Sequence, residues 1–297
     1  MATIVFGGAL SHSPLMNFPI AKDHGQVAKF QAAVDGLKQR LLESAPDIVM
    51  VFGPDHFRAL FYDLMPAFVI SVGVVKGCGD WNTPRGPFAT NREFAGHVLQ
   101  GLLDEGFAPA FSHDIQVDHG ITQPLQLLNI AHLPVLPVLI NAAGPPLPPP
   151  GRCYEFGAAV GRAIAAFPKD LRIAVLASGG LSHDPPAPSE ENAIHGRING
   201  FAESRDRETS LMKKVDALQA RINPEWDRMV LRHFEEGAVQ SLAAGLTGET
   251  IFNEAGNGGQ EIRTWIAAAG ALGDPKMRLL SYEPIQALMT GMGVIST

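Results

Sequence analysis

The chain has 297 residues, 46% hydrophobic and 18% charged, with a formal net charge of −7. That is ample material for a large core and excludes intrinsic disorder, while the acidic balance and lack of a dense basic run argue against nucleic acid as a partner. Two cysteines, Cys78 and Cys153, sit in no CxxC spacing, so neither a disulfide framework nor a thiolate zinc site is expected; a reduced, cytoplasmic setting fits.

The first ten residues, MATIVFGGAL, lack a basic flank, and no apolar run reaches bilayer-spanning length, so neither a signal segment nor a membrane partner is expected. Short β-branched runs at residues 3–6, 48–52, 68–72, 135–140 and 173–176 are bounded by Gly, Pro or Ser and read as strands buried on both faces. A shorter strand is expected at 109–112. Amphipathic stretches at 26–43, 91–105 and 154–166 are long enough to be crossover helices. The proline-rich residues 144–151 read as a stiff surface loop. Beyond residue 188 the chain turns to charged helix, at 190–218, 224–234, 238–244 and 261–272, with a last strand at 277–282. The expected fold is a three-layer α/β/α with a mainly parallel or mixed central sheet and an added C-terminal helical layer. With no Gly/Ser linker, residues 1–297 read as a single catalytic domain despite a length of about two average domains.

Histidines recur where these strands end. Ser11-His12, Asp55-His56 and Ser182-His183 each follow a strand, and His119 follows the short strand near 112. In open α/β sheets, ligands gather at the carboxyl ends of strands. A lone loop histidine is ordinarily a hydrogen-bonded or exposed residue; four at equivalent positions point to one site. Neutral imidazole is both the commonest metal ligand and the side chain best suited to proton transfer near neutrality. Two histidines and a carboxylate make the facial set of non-haem Fe(II) oxygenases, but zinc hydrolases use the same ligand types, so spacing leaves the metal open. Asp55 is expected to orient His56. For the carboxylate, Glu261 competes with Glu235, Glu236, Glu249 and Glu254. It follows the glycine-rich residues 256–259 at the start of an apolar helix, one turn before Trp265.

Several segments resemble a known family: Ser11-His12-Ser13-Pro14-Leu15, Pro54-Asp55-His56, Gln116-Val117-Asp118-His119-Gly120, Ser178-Gly179-Gly180-Leu181-Ser182-His183 and Gln260-Glu261-Ile262-Arg263-Thr264-Trp265. In this order they are similar to the type III extradiol catechol dioxygenases. The resemblance implies Fe(II) held by His12, His56 and Glu261, with His119 and His183 as an acid/base pair. It implies cleavage of a substituted catechol by O₂ to a hydroxymuconic-type product, with a 2,3-dihydroxyphenylpropionate-like molecule as first candidate and other catechols, gallates or 2-aminophenols as alternatives. A homo-oligomer is also implied. A zinc metallohydrolase on the same residues is the competing class. The chain departs from the family pattern in the turn-rich residues 77–88 and in a shorter helical stretch between His183 and Trp226, which leaves the substrate's side chain open. Residues 77–88 read equally as a cover over the site or as a surface excursion, and Arg58 and Arg85 are candidates to pair with a substrate carboxylate. His24, His97, His195 and His233 are expected on the surface, and His113 and His132 near the sheet edge.

Overall fold

Successive residues of the central strands point to opposite faces, and that pleat divides the core in two. Met50 and Phe52 pack on one side of the sheet with Leu136, Val138, Ile173 and Val175; Val49 and Val51 pack on the other with Val135, Leu139, Ala174 and Leu176. The computed structural model describes residues 1–19, 25–199, 208 and 221–297. Its strands are β1 (Thr3–Leu10), β2 (Ile48–Gly53), β3 (Phe68–Gly77), β4 (Ala110–Val117), β5 (Val135–Ile140), β6 (Arg172–Ser178), β7 (Arg278–Ile285) and β8 (Thr290–Ser296). They form one eight-stranded sheet in the order β4-β3-β5-β2-β6-β1-β8-β7. The centre is parallel, from β1/β6 through β6/β2 to β2/β5, whereas β3/β5, β1/β8 and β7/β8 are antiparallel. The sheet is therefore mixed.

Helix α1 (Gly25–Glu43) covers one face through Phe30, Val34, Leu37 and Leu41, an i, i+4, i+7, i+11 stripe, joined by α3 (His119–Leu127). The opposite face carries α2 (Arg92–Asp104) and α4 (Pro150–Ala166). There they are joined by the C-terminal helical layer, α6 (Pro224–Glu236), α7 (Val239–Gly245), α8 (Gly248–Ala255) and α9 (Ile262–Leu272). The three-layer α/β/α expectation holds. Helix α9 reaches the sheet because α4 lets it approach closely: a Cβ on Gly157 would lie 1.8 Å from the Ala267 carbonyl oxygen. Trp265 is fully buried there, with its ring edge-on to Phe234.

The sequence placed the strand cores correctly but cut several of them short. Strand β1 continues through Gly7 and Gly8 to Leu10, because full pairing with β6 outweighs the poor strand preference of glycine. Strand β4 runs to Val117 and β7 to Ile285. Strand β8 and helix α8 were not foreseen; β8 contains Gly291 and Gly293 and shows no β-branched run until Val294. Of the helix expected at 190–218, α5 (Glu190–His195) and the single residue Glu208 are helical, residues 196–199 form a turn instead, and the rest, like His24, lies outside the described residues. His97 and His233 are half-buried rather than superficial, each bonded to a helix carbonyl, while His113, His132 and His195 are exposed. No described helix is long and apolar enough to cross a membrane.

Candidate active site

Strands β1, β2 and β6 run parallel and adjacent, so the loops leaving their carboxyl ends meet. They bring His12, His56 and His183 together; His119 joins as the first residue of α3 after β4, and Glu261 ends the 3₁₀ turn Gly258–Glu261 before α9. Glu261 Oε1 lies 3.0 Å from His56 Nε2 and 3.6 Å from His183 Nε2, and its Oε2 lies 3.9 Å from His12 Nε2. The Gly180 N–H donates to Oε2 at 2.6 Å and fixes the carboxylate. All five residues named from the sequence share one site.

Each imidazole is held by its Nδ1. His12 Nδ1 is 2.9 Å from Ser178 Oγ, His56 Nδ1 donates to Asp118 Oδ2 at 3.0 Å, His119 Nδ1 donates to Asp80 Oδ2 at 2.7 Å, and His183 Nδ1 donates to the Leu181 carbonyl at 3.0 Å. Such outer bonds fix tautomer and ring orientation, leaving the Nε2 atoms for chemistry. The rings are confined as well: a Cβ on Gly180 or on Gly258 would come within 2.2 Å of the His183 ring.

The expected role of Asp55 is corrected. Its carboxylate accepts from the backbone N–H groups of Arg58, Ala59 and Leu60, while Asp118 holds His56 through both ring and backbone nitrogen. Adjacent residues point apart here, and the partner comes from 62 positions away. Sequence reasoning also missed Asp80. It belongs to residues 77–88, which are no surface excursion on this side: Asp80 and Trp81 are buried, and the Trp81 ring stands edge-on to His119. The carboxyl-terminal part of the loop turns outward, with Arg85 exposed and donating to the Cys78 carbonyl. Arg58 is buried and engaged with Asp80 and Glu208.

Charge sorts the group further. Burial pushes the His12 imidazole down to about 3, so it is neutral near pH 7. At His56, burial works in the same sense but is outweighed by Asp118 and Glu261, which hold it well above the ordinary imidazole value. For Glu261, burial is outweighed by the His183 and His56 rings, and its carboxyl stays well below the usual range. Glu261 is thus a buried anion facing imidazole nitrogens.

This donor set fits a divalent cation. Donor atoms of His12, His56 and His119 all lie within 4.8 Å of one another, but the His56 and His119 rings are stacked, 4.2 Å between centroids and 19° from parallel. Lone pairs lie in the ring planes, so two nearly parallel stacked rings do not aim at one point. His12 and His56 are perpendicular at 86°, and Glu261 adds the anionic oxygen to that pair, a 2-His-1-carboxylate set.

A cavity of about 900 Å³ opens beside this group. His56 and Glu261 form part of its wall, and Pro145, Leu147, Pro149 and Phe252 form much of the rest. The proline-rich loop therefore shapes a cavity rather than only covering surface.

Fold and site define an α/β enzyme with a metal-type donor set and two further histidines beside an apolar cavity. A family model described as the catalytic LigB subunit of aromatic ring-opening dioxygenase matches residues 8–293, and the chain belongs to that family. Members are metal-dependent oxidoreductases. A protein of Photorhabdus laumondii named 2,3-dihydroxyphenylpropionate/2,3-dihydroxicinnamic acid 1,2-dioxygenase is 40% identical over 309 residues, covering 96% of this chain and 95% of its own. A protein of the same name from Rhodococcus sp is 37% identical over 308 residues, covering 96% of each. Among solved structures, an uncharacterized Escherichia coli K12 protein matches with a TM-score of 0.50 at 14% identity, covering 98% of this chain and 99% of that one, a likeness of fold alone.

Proposed function

We propose that the chain catalyses Fe(II)-dependent extradiol cleavage of a substituted catechol by O₂, giving a ring-opened hydroxymuconic-type product, with 2,3-dihydroxyphenylpropionate as lead substrate. The observation that carries this reading is the meeting of His12, His56 and Glu261 with two further histidines, the four imidazoles on segments that leave the carboxyl ends of strands. His12, His56 and Glu261 hold the metal. Fe(II) bound there supplies a path for electron density from the catechol ring to O₂.

The remaining work falls to His119 and His183. Catechol binding requires removal of a phenolic proton, and ring opening requires a proton for the departing oxygen, so one base and one acid are needed. Asp80 keeps Nδ1 of His119 as a donor, and the Leu181 carbonyl does the same for His183, so each offers Nε2 to a substrate proton. His183 Nε2 stands 3.6 Å from the Glu261 carboxylate, so its proton is held against that buried anion. The apolar wall keeps the reacting centre dry, which strengthens these charge interactions.

The lead substrate follows from the names of the relatives and from a cavity with room for a ring bearing a side chain. We read residues 1–297 as one catalytic domain, acting in the cytoplasm as a homo-oligomer; both cysteines are free thiols, in keeping with a reducing compartment. The test is anaerobic loading with Fe(II), then oxygen uptake with a panel of substituted catechols, 2-aminophenols and gallates. Oxygen consumption with a yellow ring-fission product supports the reading; hydrolytic activity with zinc and no oxygen uptake overturns it.

A further inference from the structure

Arg263, two residues after Glu261, is 1% exposed and lies in the wall of the same cavity. Its Nε donates to the Pro148 carbonyl at 2.7 Å and its Nη1 to the Gln260 carbonyl at 3.1 Å and the Gln260 side-chain oxygen. All of these acceptors are neutral. No described Asp or Glu is within ion-pair distance, and Nη2 has no hydrogen-bond partner among the described residues. Nη2 borders Gly248, another cavity residue, where a Cβ would stand 3.4 Å away. Arg263 is also the one Arg or Lys among the described residues of this wall. An arginine guanidinium stays protonated in proteins. A buried cation ordinarily has a counter-charge, because desolvation is otherwise uncompensated. Among the described residues none is supplied here.

We propose that Arg263 is a specificity-determining residue, pairing through its open Nη2 with a carboxylate at the end of the catechol's side chain. The inference rests on the reading of this cavity as the catechol site and adds which residue selects an anionic tail. The rest of the wall suits such a molecule, since Leu147, Leu246, Phe252 and the prolines offer apolar surface to an alkyl stem. A guanidinium is the group best shaped for a carboxylate. This replaces Arg58 and Arg85, of which the first is engaged with Asp80 and Glu208 and the second is exposed.

The test compares 2,3-dihydroxyphenylpropionate with its methyl ester, which removes the charge and adds a single methyl group. Two readouts are used: kcat/KM of the Fe(II)-loaded protein, and calorimetric binding to metal-free protein. Wild type should favour the acid by roughly tenfold or more in both, as expected for a buried charge pair. In Arg263→Gln that ratio should collapse toward one. Because Arg263 also ties Pro148 and Gln260, a second variant avoids removing it: Gly248→Asp sets a carboxylate beside Nη2, in the first turn of α8 where an acid is favoured. It should abolish the preference in the same way. Equal handling of acid and ester by wild type, or a preference that survives in both variants, overturns the inference while ring opening stands. Failure of loaded wild type to open either ring overturns the catechol reading and the inference with it.

Discussion

Asp80 Oδ2 accepts a 2.7 Å hydrogen bond from His119 Nδ1, and both side chains are buried. The two residues are 39 positions apart, on a loop after β3 and at the start of α3. An ionised carboxylate can only accept, so the bond fixes His119 with its proton on Nδ1 and its lone pair on Nε2. Asp80→Asn should therefore slow turnover roughly 10–100-fold, the usual cost of losing such a partner, while leaving iron content near wild type. Steady-state kcat with iron quantified on the same samples checks this; a variant with normal kcat refutes the role.

Ligands and proton carriers should separate in metal analysis. His12→Ala, His56→Ala and Glu261→Ala should retain little iron after desalting. His119→Ala and His183→Ala should retain it and lose turnover by about two to four orders of magnitude. Iron retained in Glu261→Ala but lost in His119→Ala would transfer the third ligand to His119.

The cradle of His183 gives a test that touches no titratable group. Gly258→Ala places a methyl group where the His183 ring now lies, 2.2 Å from Cε1 and Nε2. The ring must move, and turnover should fall at least tenfold, because acid/base transfer depends on placement within hydrogen-bond reach. Circular dichroism and iron content should stay close to wild type.

These predictions mix what the residues announced with what they concealed. Strand-end histidines were legible because the rule behind them is topological, and β5 was legible to the residue because VLPVLI is apolar throughout. Asp118 and Asp80 were not, since their link to the histidines is made only by folding, across 62 and 39 residues. Asp55 looked better than Asp118 because sequence adjacency stands in poorly for spatial adjacency at a turn. Arg263 was hidden by numbers: among 23 basic residues, nothing in the sequence marks this one as enclosed without an acid among the described residues.

Away from the proposed metal ligands, Asp227 should leave a mark on the pH dependence of stability. It is fully buried, accepting from the Ser182 N–H and hydroxyl and from the Tyr282 hydroxyl. Burial outweighs these bonds and raises its carboxyl above the ordinary value. The folded state then holds the proton more tightly than the unfolded chain. Its contribution is fully present below the ordinary Asp value of about 3.9 and is lost as pH rises through the folded value. Denaturant midpoints from pH 4 to 7 should therefore fall more steeply, or rise less, in wild type than in Asp227→Asn; parallel curves would refute this.

The thiols should be silent in the native protein. Burial pushes Cys153 up to about 12, and burial with the nearby Asp118 and Asp80 raises Cys78 as well. Thiolate is the reactive form, so a disulfide reagent at pH 8 should titrate little until denaturant is added, when both react. Rapid native labelling of Cys153 would contradict this packing.

Six prolines, at 145, 149, 150, 185, 186 and 188, contribute to the cavity wall. Proline has a fixed φ and no N–H, so these residues stiffen the wall, where the Pro148 carbonyl is tied to Arg263, and donate no backbone proton to an intruding water. A molecule entering such a cavity has little loop to immobilise. The entropy of association should be governed by water expelled from the wall and by the guest's own frozen torsions, and a longer or stiffer side chain should be accepted or refused on shape, with little accommodation by the host.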